Sequence, residues 1–246
     1  MSDQRGLVVA VTGLKSEAGL AAGPGVLALA GGGDGAALHR DIKAAALAGA
    51  RAVISFGVAG GLAPDLAPGA VLVSRSIVTE SGERFLTHPL WTRRISAALG
   101  GARIADFAGV DSPVADADGK RALYLGAGAH AVDMESHIAA RAASAHNLPF
   151  AAVRVIADPA GRGLPHAAIV AMKPGGGLAL DALALSLLRD PRQIPHLIQT
   201  AIDARAAFRG LFRSRKALAG AFGFDDLGEF VLDVPGEDEF GGPLPL

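Results

Sequence analysis

Residues 26–56 read VLALAGGGDGAALHRDIKAAALAGARAVISF, and this stretch decides the fold. Residues 26–30 form an apolar run of strand length. Asp34 is placed to cap a helix running to Ala48, and Gly49 is placed to end it. A second apolar run, 52–56, follows directly. Strand, helix and strand in so short a span predict two parallel strands joined by a helical crossover.

The alternation extends in both directions. Strands are predicted at 7–11, 70–78, 104–110 and 150–156, and a helix at 135–146, stopped by Asn147 and Pro149. Strands this continuously apolar are buried on both faces. The fold class is therefore α/β: a single domain with a largely parallel, mixed central sheet flanked by helices. Ligands of such sheets bind beyond the carboxyl ends of the strands. A long helix is expected over 194–219, with Leu197, Ala201, Phe208, Leu211 and Phe212 on its packed face and Arg205, Arg209 and Arg213 on another. Residues 225–246 carry seven acidic side chains and no basic one. The domain is drawn at 1–222, with an acidic tail containing Gly and Pro at 223–246.

Composition excludes several classes. The 246 residues include 23 Lys and Arg against 24 Asp and Glu, and half are hydrophobic. That balance argues against global disorder and against a nucleic-acid partner held by bulk charge. The absence of cysteine removes disulfides, thiolate nucleophiles and zinc–thiolate or iron–sulfur sites. Neither a transmembrane helix nor a secretory segment is predicted, the apolar run at 7–11 being too short for either. The expectation is a cytoplasmic protein.

Among familiar motifs, GxxxxGK[ST], GxSxG and HExxH are missing. Gly31-Gly32-Gly33 follows a strand but lacks the GxGxxG spacing, so neither a dinucleotide nor any other cofactor is expected. His130, Asp133, Glu135 and His137 are suitable metal-ligand types. Asp133 and Glu135, however, stand two apart at a strand-to-helix junction where side chains diverge, so no metal site is expected.

Three segments carry chemistry. In Val11-Thr-Gly-Leu-Lys-Ser-Glu17 an acid sits just past a strand, and its plain alternative is a helix-start Glu favoured by the dipole. In Ser55-Phe-Gly57-Val58-Ala59-Gly60-Gly61-Leu-Ala-Pro64 a strand is expected to open into a Gly-rich turn. Its glycines would let the backbone approach a ligand or adopt φ > 0, or would simply make a tight turn. In Val132-Asp133-Met134-Glu135 and Val153-Arg-Val-Ile-Ala-Asp158-Pro159, carboxylates end apolar runs. Such carboxylates are backbone caps, or groups whose pKa burial raises.

Together the three segments resemble the nucleoside phosphorylase and nucleosidase superfamily, most closely its 5′-methylthioadenosine/S-adenosylhomocysteine nucleosidases. Gly57-Val-Ala-Gly-Gly-Leu-Ala-Pro64 is similar to their GSAGGLAP segment, Asp133-Met134-Glu135 to their EMEA motif, and Arg154-Val-Ile-Ala-Asp158 to RAISD. The resemblance runs over about residues 7–160 and implies a nucleoside phosphorylase-like fold. Within the superfamily, Val132-Asp-Met-Glu-Ser-His137, Leu164-Pro165 and the stretch 191–213 look like the hopanoid-associated phosphorylases, to which adenine removal from adenosylhopane is assigned.

The resemblance implies roles for individual residues. Asp158 would protonate N7 of adenine, and Glu17 would activate a water that attacks C1′. Glu135 would accept hydrogen bonds from the ribose diol, and Met134 would pack on the sugar. Gly57, Val58, Ala59 and Asp133 would line the substrate pocket, with Val114 reading adenine through its backbone. The reading requires Asp158 to be a shielded acid outside any salt link. Ser55 stands where phosphorylases of the superfamily have a phosphate-binding Arg, and Val58 replaces their Ser, so water is expected over phosphate. His39, Arg40 and Arg162 are the other cations placed to hold phosphate. Phosphorolysis and a non-catalytic nucleoside-binding module are the alternatives. Residues 159–177 are expected to form an apolar lid suited to a hydrophobic 5′ substituent. The partners implied are a small nucleoside and a second copy of the chain, and the basic helix face offers a peripheral contact with an anionic membrane.

Overall fold

The computed structural model describes residues 6–163, 165, 185–186 and 188–224. In chain order the elements are β1 (Val8–Thr12), α1 (Lys15–Ala21), β2 (Val26–Ala30), α2 (Gly35–Leu47), β3 (Ala52–Gly61), β4 (Val71–Thr79), β5 (Arg84–Leu86), α3 (Pro89–Ala98), β6 (Arg103–Gly109), α4 (Ala117–Ala127), β7 (Ala131–Asp133), α5 (Ser136–Ala145) and β8 (Phe150–Asp158). A short 3-10 turn, Pro191–Gln193, leads into α6 (Ile194–Ala217). The punctuation read from sequence works as expected around α2. Asp34 Oδ1 accepts the Ala37 N–H at 2.9 Å, and Gly49 takes the left-handed conformation with φ +95°. Asn147 does the same after α5, with φ 52°.

The sheet is mixed. β1 lies between β2 and β3, parallel to both, and β3 is parallel to β8. β8 then pairs antiparallel with β4, which runs parallel to β6 and antiparallel to β5. β6 is parallel to β7, and β7 returns antiparallel to the end of β3 at Gly60 and Gly61. The strands β3, β8, β4, β6 and β7 thus close on themselves, so none of the five leaves a free edge there. Alternate residues of β1 feed opposite layers. Val9 and Val11 join Leu38, Ile42, Ala139 and Ala143, whereas Val8 and Ala10 join Trp91, Ile95, Leu211 and Phe222.

Three expectations are corrected. The strand predicted to end at Phe56 continues to Gly61 and pairs with Arg154 to Asp158 of β8, with a register shift between Ala59 and Gly60. Gly57, Gly60 and Gly61 are not in the left-handed region. They are strand residues whose missing side chains leave room. A Cβ on Gly61 would stand 3.1 Å from Ile156 Cγ2. The packed face of α6 also differs. It is built from Ala207, Gly210, Leu211 and Ser214, while Ala201 and Phe212 are exposed. Small residues win because the helix lies close on β8: a Cβ on Gly210 would stand 2.8 Å from Val155 Cγ1. Finally, the packed chain continues past residue 222, with the Phe224 ring edge-on to Trp91 at 4.9 Å. The acidic run 225–246 lies outside the described residues, as does most of the expected lid, namely Leu164 and residues 166–177. No helix among the described residues is long and apolar enough to cross a membrane.

Candidate active site

The carboxyl end of β3 organises the site, with Asp158 of β8 on one side of Gly60 and Val132 of β7 on the other. At its centre is Arg154, fully buried on β8. Its Nη2 donates to Ser55 Oγ at 2.7 Å, Asp133 Oδ1 at 2.8 Å and Ser136 Oγ at 3.1 Å. The Glu135 carboxylate lies 3.8 Å away. Among the described residues, Nη1 and Nε have no hydrogen-bond partner. Arg154 carried no role in the sequence reading. Its signal was an arginine inside an unbroken apolar strand, because a buried guanidinium requires carboxylate partners.

Asp133, expected among the substrate-binding residues, is turned inward. Its Oδ1 also accepts the N–H groups of Glu135 at 2.9 Å and Ser136 at 2.7 Å, so one oxygen both starts α5 and anchors Arg154. Burial pushes its carboxyl up, but Arg154 and the Ser136 donors outweigh that and hold it below the usual carboxylate range. Asp133 and Glu135 do not diverge as expected, since both face Arg154.

Glu17 occupies the first turn of α1 and is 1% exposed. Its Oε2 accepts the N–H groups of Gly13 at 2.9 Å and Leu14 at 2.7 Å, and its Oε1 accepts the N–H of Val58 at 2.7 Å. The helix-start role and the site role therefore coexist. Burial raises this carboxyl, against the pull of the Val58 donor and Arg154. A carboxylate offers about four acceptor positions, so a fourth remains open on Oε1. Gly57 makes the approach possible. A Cβ there would stand 2.6 Å from Arg154 Nη1 and 2.8 Å from Glu17 Oε1.

Glu135 sits over Gly13, where a Cβ would come within 3.0 Å of its Oε1. Burial and the neighbouring charges of Asp133 and Glu17 push its carboxyl up to about 7, Arg154 notwithstanding. Val114 and Met134 pack on one apolar cluster with Leu62, Ala108, Val110 and Val132. Val58 is half-buried and Ala59 buried, both on β3 beside β8. Of the other proposed cations, His39 and Arg40 are exposed on α2, and Arg162 is ion-paired with Asp203.

Asp158 departs from expectation. It ends β8 as predicted, beside the Cβ position of Gly60, but it is not a solitary acid. It is ion-paired to Lys120, a fully buried lysine of α4 that the sequence reading did not single out. Burial raises the Asp158 carboxyl and Lys120 opposes the rise. The requirement that Asp158 stand outside any salt link is not met. The site thus has two electrostatic ends. One buried cation stands among Glu17, Asp133 and Glu135, and a lysine–aspartate pair closes the other side.

Comparison with known proteins agrees with this architecture. The structure of 5′-methylthioadenosine/S-adenosylhomocysteine nucleosidase from Helicobacter pylori with butyl-thio-DADMe-Immucillin-A is similar, with 16% identity and a TM-score of 0.63 over 90% of this chain and 99% of that one. The S. pneumoniae nucleosidase of the same name, with the transition-state inhibitor MT-ImmA, is 18% identical, with a TM-score of 0.59 over 86% and 99% of the two chains. Futalosine hydrolase of H. pylori strain 26695 is 18% identical, with a TM-score of 0.55 over 61% and 87%. At these identities the likeness establishes the fold. No curated protein matches the chain. The sequence pattern of the phosphorylase superfamily matches residues 16–189, and the chain belongs to that superfamily.

Proposed function

We propose that this site hydrolyses the N-glycosidic bond of an adenine nucleoside with a hydrophobic 5′ substituent, releasing adenine. One observation carries the reading: the buried cation at the sugar end, Arg154, stands among three carboxylates, Glu17, Asp133 and Glu135. A sugar that becomes cationic as its base leaves is stabilised in such surroundings. A phosphate dianion is repelled there, which favours water as nucleophile. Glu17 takes the proton of that water at the open position on Oε1, and the unpaired Nη1 of Arg154 orients it. A base works best with a pKa near the operating pH, and burial moves Glu17 in that direction. Glu135 accepts from the ribose diol and Met134 packs on the sugar. Gly57, Val58 and Ala59 line the pocket, and the backbone of Val114 meets adenine. Asp158 delivers a proton to N7, and it must first become protonated against the charge of Lys120.

The resemblance to hopanoid-associated phosphorylases supports adenosylhopane as the substrate, with methylthioadenosine as a smaller candidate. The exposed face of α6 fits a peripheral membrane contact, since Ile194, Ile198 and Ile202 precede exposed Arg205, Arg209 and Arg213 along it. Co-sedimentation with anionic vesicles tests that contact, and light scattering tests the homodimer expected from the resemblance. The deciding experiment follows adenine release by chromatography from both nucleosides, with and without phosphate. Release without phosphate is expected. Strict dependence on phosphate, with a ribose 1-phosphate product, would establish phosphorolysis instead. Binding without release would mark a nucleoside-binding module.

A further inference from the structure

Lys120 has no role in the chemistry derived so far, yet it is among the most completely buried side chains of the protein, at 0% exposure. An ammonium has three N–H donors. Each finds an acceptor: the Asp158 carboxylate, the Pro159 carbonyl at 3.0 Å and the Arg162 carbonyl at 2.9 Å. Two of these belong to the turn after β8 and the third to the last residue of the strand. Lys120 itself comes from the first turn of α4, which Asp116 caps by accepting the Gly119 N–H at 2.7 Å. One side chain therefore joins the segment before α4, which includes Val114, to the segment after β8. The two segments are already close, for a Cβ on Gly163 would stand 2.9 Å from the Ala115 carbonyl oxygen.

We propose that Lys120 is a positioning residue of the base end of the site: it clamps the 159–162 turn against α4 and holds Asp158 as one half of an ion pair until a nucleobase arrives. The inference rests on the reading of Asp158 as the proton donor and adds to it the group that governs when the acid is available. With all three donors engaged, Lys120 acts on Asp158 through charge and geometry. The charged groups facing Asp158 are Lys120 from α4, Arg162 from the turn after β8 and Asp203 from α6. Arg162 and Asp203 are paired with each other, which leaves Lys120 as the cation in contact with the acid. A cation so near favours the carboxylate, commonly by one to three pH units. Removing it raises the pH at which Asp158 holds a proton, and a general acid then remains loaded at higher pH.

The test compares wild type with Lys120→Met and Lys120→Arg, using Asp158→Asn to assign the Asp158 resonance. The 13C shift of the Asp158 carboxyl, followed against pH in the whole protein, reports its titration directly and requires no turnover. The midpoint should rise by about one pH unit or more in Lys120→Met and stay near wild type in Lys120→Arg. The alkaline limb of kcat/KM for adenine release from methylthioadenosine should move with it. A carboxyl midpoint unchanged in Lys120→Met overturns the proposal, as does a rate profile merely scaled down at every pH. Should Lys120→Met fail to fold, Lys120→Gln carries the same comparison, since its amide still serves both carbonyls without the charge. Full adenine release by Asp158→Asn would instead overturn the reading of Asp158 as the acid, leaving the carboxyl titration to judge the clamp by itself.

Discussion

Glu135 gives a quantitative handle on the site. Its side chain is 13% exposed, and burial with two like-charged neighbours pushes its carboxyl up to about 7, from 4.5 for a free glutamate. A carboxyl raised by folding stabilises the native state fully below its unfolded value, and that stability is lost as pH rises through the folded value. The move from 4.5 to about 7 corresponds to about 3 kcal/mol. Glu135→Gln keeps the shape and removes the titration, so it should escape this loss. The stability gap between Glu135→Gln and wild type should be flat below about pH 4, grow between pH 4.5 and 7, and level off about 3 kcal/mol higher by pH 8. For a chain of this size that is a difference in Tm of about 10 °C. Trp91, the only tryptophan, is fully buried and donates through Nε1 to the Phe222 carbonyl at 2.9 Å, so its fluorescence reports unfolding. Urea titrations at pH 4, 6 and 8 give the gap directly. A gap independent of pH would refute the argument that Glu135 is held in its charged form at a cost. The same variant should bind nucleosides poorly, because an amide offers the ribose diol one acceptor oxygen in place of two.

Three further outcomes follow from the same geometry. Arg154→Met leaves Asp133, Glu17 and Glu135 without their cation and should cost about 3–5 kcal/mol in urea unfolding at pH 7, with the gap narrowing as pH falls, first as the raised Glu135 protonates and last as Asp133 does. Gly57→Ala places a methyl group 2.6 Å from Arg154 Nη1 and 2.8 Å from Glu17 Oε1, so kcat/KM should fall by about tenfold or more. Circular dichroism should show the fold retained. Asp106→Asn tests a site away from the chemistry. Burial opposes ionisation there, but Arg75, Ser76 and Arg84 hold the carboxyl at about 2. Arg75 and Arg84 are 69% and 46% exposed, so after solvent screening the pair is worth about 1 kcal/mol. That stability should be present above about pH 4 and lost as pH falls toward 2.

What the sequence made legible follows the local rules. The Asp34 cap, the Gly49 stop and the apolar run of β1 need only neighbouring residues to be read, and all three appear where expected. The short strand β5 was missed because three residues carry no periodicity, β7 was legible only as the strand side of the junction at Asp133, and the pairing of both is set by distant strands. Gly57 misled for a physical reason: a glycine that avoids a clash in a strand looks the same in sequence as one that makes a turn. In the candidate site, Glu17, Glu135 and Asp158 are legible through the motifs they end. Arg154 lies within one of those motifs, where an arginine in an apolar strand marks a buried charge but not the carboxylates it gathers. Lys120 stands 38 residues before Asp158, and the contact exists only because β6 and α4 bring it across the fold.

Under the proposed hydrolysis, the two ends of the site differ in what they demand of a proton. At the sugar end, burial raises the carboxyls of Glu17 and Glu135, and Arg154 opposes the rise at both. A nucleophilic water needs an ionised base at that point, and a developing oxocarbenium ion needs negative charge nearby. At the base end the requirement is reversed, because adenine leaves more easily when it has gained a proton. Lys120 works against that by favouring the Asp158 carboxylate. A site tuned for chemistry alone would leave the acid unpaired, as the sequence reading assumed. The observed pair makes sense if the free enzyme benefits from a rigid, fully hydrogen-bonded base end and the arriving purine provides the acceptor that draws a proton onto Asp158. On that reading glycosidic cleavage depends on base binding before sugar chemistry, and a nucleoside truncated at the base should lose kcat as well as affinity.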